Sequence, residues 1–114
     1  MKHSLSRLLA LVVTLSISMG SAAFFTGEDL QNSCLNQYSG VCSSFVRGVH
    51  SGLTLSQEFL KMSPHYCSPE NMTVTQAVKI ISKFLEENPE DLHQPAESIV
   101  YVALAKAFPC EDGQ

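Results

Sequence analysis

The 114 residues carry four cysteines, no tryptophan and a formal charge of −4, totals that blend a basic, apolar N-terminus with an acidic remainder. A chain of this length makes one domain, with a core too small to be secure without added staples. The acidic balance disfavours nucleic acid and anionic membranes as partners.

Lys2, His3 and Arg7 lead into a run from Leu8 to Ile17 interrupted only by Thr14 and Ser16, after which residues 18–23 are small and polar. This order, basic then apolar then small-x-small, predicts a secretory signal peptide over residues 1–23, cleaved after Ala23 with Ser21 and Ala23 in the two small positions. The run is shorter than the roughly 20 apolar residues of a transmembrane span, so no membrane insertion is expected after cleavage. Residues 24–114 are then a single helical domain, in which five basic residues oppose the 11 acidic ones for a charge near −6.

In chain order, Thr26 reads as a helix N-cap with Glu28 and Asp29 in the first turn, opening a short helix with Leu30, Cys34 and Leu35 on one face. Residues 36–40 read as a turn. From Val41 to about Lys61, Val41, Phe45, Val49 and Leu53 recur at helical spacing, flanked by Cys42, Val46 and Leu60, and describe a long helix with one buried stripe. Gly48 and Gly52 lie inside it, which suggests close approach of another helix or a local bend, since each costs about 1 kcal/mol relative to Ala. Residues 62–72 contain Pro64, Pro69, Cys67 and the His65-Tyr66 pair without helical period, and read as an ordered loop.

Thr73 and Gln76 fit a capping box. The helix they start presents Ala77, Ile80, Ile81, Phe84 and Leu85 to the core and ends at Asn88-Pro89. Pro95 suits a first helical position. The last helix carries Ala96, Ile99, Val100, Ala103, Leu104 and Ala107 and stops at Pro109. No strict alternation supports a strand, and the fold class is all-α: a small disulfide-bonded bundle of about four helices.

An even set of four cysteines in an exported chain points to disulfides. Cys34 closes the first helix and Cys42 opens the second. If the last two helices form an antiparallel hairpin, Cys110 returns beside Cys67. The expected pairs are therefore Cys34 with Cys42 and Cys67 with Cys110, with two other connectivities formally open. A zinc site using His65 and Cys67 competes for the thiols, but no C-x-x-C occurs. Paired cysteines have no thiolate with which to attack, and no Gly-rich phosphate loop, metal-ligand cluster or G-x-S-x-G is present, so no catalysis, cofactor or metal is expected. His50 is expected as a partly exposed helix residue, His65 as a loop contact and His93 as a turn residue. Glu86, Glu87, Glu90 and Asp91 cluster around the Asn88-Pro89 turn as a solvated face. Asn71-Met72-Thr73 fits a glycosylation sequon, with Thr73 read first as a cap.

Taken together, Cys42 with Phe45-Val46 and Gly48-Val49, Cys67 with Pro69, the Thr75-Gln76 helix start, the Asn88-Pro89 and Leu92-His93 turn, and the Ala103-Leu104 to Ala107-Phe108-Pro109-Cys110 ending resemble the Rap/Tai family of immunity proteins linked to bacterial type VI secretion. The family run after its second cysteine, Gly-Tyr-Ile-x-Gly and then Asp-Ala, is replaced here by Ser44-Phe45-Val46 and Ser51-Gly52, which removes any contact made by that aspartate. The resemblance implies a small, helical, disulfide-bonded periplasmic protein, usually a homodimer, that binds and occludes a secreted peptidoglycan amidase effector without catalysis of its own. The irregular loop, with Ser63, His65, Tyr66, Glu70 and Asn71, is the candidate insertion element, and Tyr66 is either its hot spot or a buried core aromatic. A periplasmic helical chaperone or envelope scaffold of similar fold is the alternative.

Overall fold

The computed structural model describes residues 24–36 and 40–111; the expected signal peptide and part of the 36–40 turn lie outside them. Four α-helices and one 3-10 turn follow in order: α1 (Gly27–Leu35), α2 (Val41–Leu60), α3 (Val74–Glu87), the turn Pro89–Asp91, and α4 (Ala96–Ala107). No strand occurs among the described residues. The all-α, disulfide-bonded expectation is met.

Local chemistry accounts for the helix boundaries. Thr26 and Asp29 make a reciprocal capping box at the start of α1: the Thr26 hydroxyl accepts the Asp29 N–H at 3.3 Å, and the Asp29 carboxylate accepts the Thr26 N–H at 2.9 Å. The Thr26 backbone N–H, and then its hydroxyl, hold the Asp29 carboxyl below the ordinary carboxylate range. At α3 the Thr73 hydroxyl accepts the Gln76 N–H at 3.1 Å, the expected half of the box. The α2 C-terminus closes through Lys61 at φ 51°, with the N–H groups of Lys61 and Met62 both donating to the Gln57 carbonyl. Asn88 ends α3 by donating its backbone N–H (3.0 Å) and its side-chain amide (2.8 Å) to the Phe84 carbonyl. Pro95 sits one position outside α4, as its N-cap rather than its first residue.

Leu30, Val46, Ile81, Leu85, Val100 and Leu104 are the largest fully buried side chains, so every helix contributes to one centre. α3 and α4 form the most extensively packed pair. A strap closes the other side. Residues 25–28 lie along residues 92–96, with Gly27 N–H donating to Gln94 O, Glu28 N–H to Leu92 O and Ala96 N–H to Phe25 O, each at 2.9 Å, around an antiparallel bridge between Thr26 and Pro95. Two N–H groups that a helix start leaves orphaned are thereby satisfied by distant carbonyls. The approach is close: a Cβ on Gly27 would lie 3.1 Å from the Leu92 backbone.

Several expected core positions lie outside the core. Leu35 is 71% exposed and Leu60 is 68% exposed; Val41 and Ala107 are also exposed. Helix length explains Leu60: α2 has 20 residues, about 30 Å, against nine in α1 and 12 in α4, so its last turns run past the elements that cover it. Gly48 and Gly52 do not mark a helix contact within the chain. A Cβ on either would meet nothing within 4 Å.

Candidate partner-binding loop

The connection between α2 and α3 is fastened at three points. Cys67 is disulfide-bonded to Cys110, 43 residues away, with Cα atoms 4.9 Å apart, and the Cys67 N–H donates to Phe108 O at 2.8 Å. Cys34 and Cys42 form the second disulfide across the α1–α2 turn. These are the pairs the helical hairpin argument expects, and they leave no free cysteine, so the zinc reading of His65 with Cys67 has no thiolate to use. The second fastening is Tyr66, 6% exposed, whose phenolic oxygen lies 2.7 Å from Nδ1 of His50 on α2. The third is His65, which meets Tyr101 of α4 edge-on with ring centroids 5.4 Å apart.

Burial pushes the Tyr66 hydroxyl above its ordinary pKa. The phenol therefore keeps its proton, and its oxygen shares one short hydrogen bond with Nδ1 of His50, whose direction follows the imidazole tautomer. Tyr66 is a core aromatic that locks the loop to α2. A side chain enclosed by its own chain offers a partner little area, which favours the core reading over the hot-spot one.

The five expected loop residues thus divide into two groups. His65 and Tyr66 turn inward and hold the loop, whereas Ser63, Glu70 and Asn71 are exposed, together with Pro64 and Pro69. Tyr66 and Glu70 meet His50, Thr54, Gln57, Pro64 and Met72 around a groove of about 410 Å³ between the loop and α2. Thr54 and Gln57 were not among the expected site residues. Their signal is present in the sequence: His50, Thr54 and Gln57 recur at four and three residues, a polar stripe on the side of α2 that the loop covers. Among the described residues there is no group of three or more His, Cys, Asp or Glu side chains arranged to hold a metal ion, and no helix is long and apolar enough to cross a membrane.

A small all-α scaffold with two disulfides and one fastened, polar-tipped loop defines the class. The sequence profile of Rap1a immunity proteins matches residues 26–110, and the chain belongs to the Rap1a immunity protein family. An immunity role follows from that membership, and with it a toxin partner. No curated protein and no solved structure matches the chain.

Proposed function

We propose that the chain is exported, loses residues 1–23, and acts in the periplasm as a homodimer that neutralises a peptidoglycan amidase delivered by type VI secretion. The 62–72 loop enters the toxin's cleft and occludes it, and the inhibitor performs no chemistry of its own. The observation that carries this reading is the fastening of the loop by Cys67, Tyr66 and His65, which leaves Ser63, Glu70 and Asn71 presented on a backbone with little freedom left to lose. A preorganised loop avoids the ordering cost that weakens flexible binders. Membership of an immunity family supports the same reading.

Titration of the purified protein into secreted peptidoglycan amidases from the same genome, with peptidoglycan as substrate, tests it. Saturable inhibition is expected. Glu70→Lys with Asn71→Ala should weaken inhibition by roughly tenfold or more while unfolding stability stays within about 0.5 kcal/mol, because both side chains are solvent-exposed. Full-rate activity of every one of these amidases in excess inhibitor overturns the proposal. Suppression of non-specific aggregation without amidase inhibition would point to the chaperone alternative instead.

A further inference from the structure

α2 has three faces, and the chain occupies two of them. Cys42, Val46, Val49 and Leu53 face the core, and His50, Thr54 and Gln57 line the loop groove. At about 100° per residue, Val41, Gly48, Gly52, Leu55 and Phe59 form a strip turned about 120° from the centre of the core face. All five are exposed, Phe59 at 76% and Leu55 at 53%. Two glycines in a helix interior cost about 1 kcal/mol each relative to Ala, and neither serves a contact within the chain.

We infer that this third face is the contact between two copies of the chain, with their α2 helices antiparallel across a two-fold axis at the level of residue 50. The inference rests on the homodimer proposed above and supplies its surface. A two-fold contact uses the same patch on both copies, so large residues must meet small ones under reversal. This strip satisfies that condition. Gly48 and Gly52 are equidistant from residue 50 and exchange places, which lets the helix axes approach closely. Val41 and Phe59 are likewise equidistant, so the bulkiest side chain of the strip in one copy meets the smaller Val41 of the other.

Charge favours the antiparallel sense. Arg47 and Glu58 lie together on one side of α2, between the strip and the loop groove, and neither has an ion-pair partner among the described residues. Antiparallel packing brings Arg47 of one copy to within about 7.5 Å, measured along the axis, of Glu58 of the other. Parallel packing about a two-fold axis would instead place the two copies' arginines and glutamates on opposite edges of the contact, with no opposite charge facing either. The loop groove lies on another face of α2, so both copies keep it open.

Light scattering during size exclusion, run on the exported form, tests the surface. The unaltered protein should be a dimer, and Leu55→Glu with Phe59→Glu should weaken self-association by about 100-fold or more, since a buried unpaired carboxylate is strongly unfavourable. A dimer that survives both substitutions overturns the assigned surface and leaves the dimer itself standing. A monomer at all concentrations overturns both. Cross-linking gives a second measurement that does not depend on those variants folding: oxidising a mixture of Gly48→Cys and Gly52→Cys chains should yield more linked dimer than either chain alone, and equal yields overturn the register. Amidase inhibition, measured separately, reports on the toxin reading.

Discussion

The contact between Tyr66 and His50 assigns a role that sequence could only bracket. An aromatic next to a cysteine in a proline-rich loop is placed equally well on the surface or in the core, because a loop has no period from which an inward face can be read. The structure resolves the choice through a partner 16 residues away on another element. Tyr66→Phe removes one hydrogen bond and keeps the ring, so stability should fall by about 1 kcal/mol, whereas Tyr66→Ala should cost about 3–5 kcal/mol; urea unfolding midpoints measure both. The raised pKa of Tyr66 also fixes the sign of a pH effect. The unfolded phenol ionises near 10.0 and the folded one later, so the folded state binds the proton more tightly, and stability declines as pH rises from about 10 through the folded value. Melts recorded between pH 9 and 11 should show this decline in the unaltered protein and a shallower one in Tyr66→Phe. The capping box at Thr26 teaches a related lesson: Asp29 fills a position usually taken by Glu or Gln, so the pattern passes unnoticed until the 2.9 Å bond is seen.

Among the elements, α3 and α4 were legible almost residue by residue. Ala77, Ile81, Phe84 and Leu85 are buried as expected, as are Ala96, Ile99, Val100, Ala103 and Leu104, because these short amphipathic helices are covered along most of their length. α2 was read less well. Periodicity gives the direction of a face but not how far neighbours extend along it, so Leu60 was assigned to a core that ends before reaching it. Gly48 and Gly52 mark no close approach within the chain, and a sequence cannot say whether such an approach is made within one chain or between two. The disulfides act at this scale. In the chain-entropy treatment, closing about nine residues through Cys34–Cys42 stabilises by roughly 2.5 kcal/mol and closing about 44 through Cys67–Cys110 by roughly 4 kcal/mol. Replacing Cys67 and Cys110 together by serine should therefore lower the unfolding free energy more than replacing Cys34 and Cys42. If the proposed loop insertion is right, only the former should also abolish toxin inhibition at temperatures where the variant remains folded, since of the two disulfides only that one fastens the loop.

For the molecule as a whole, α1 is held by α2 through a disulfide and by the residues before α4 through the strap. A compartment and a partner are not legible from packing at all. The expectation of both rests on the composition of residues 1–23 and on family resemblance, because a surface that recognises another protein carries no periodic signature of its own. Whole-chain dependence can be tested directly: a chain ending at Asn88 lacks α4, the Cys67–Cys110 bond and the carbonyls that satisfy Gly27 and Glu28. It should show little helical circular dichroism and no cooperative melt, whereas a sharp transition in that fragment would show that α1 to α3 are self-sufficient.

The strap between residues 25–28 and 92–96 also sets an order of events. A chain delivered from its N-terminus onward presents Thr26 long before Pro95 exists to pair with it, and most of the intervening sequence must emerge before the first helix acquires its anchoring carbonyls. The earliest structured residues are thus among the last to be secured. A polypeptide wired in this way can complete the anchoring of its first helix only once the start of its last one is available to supply the carbonyls.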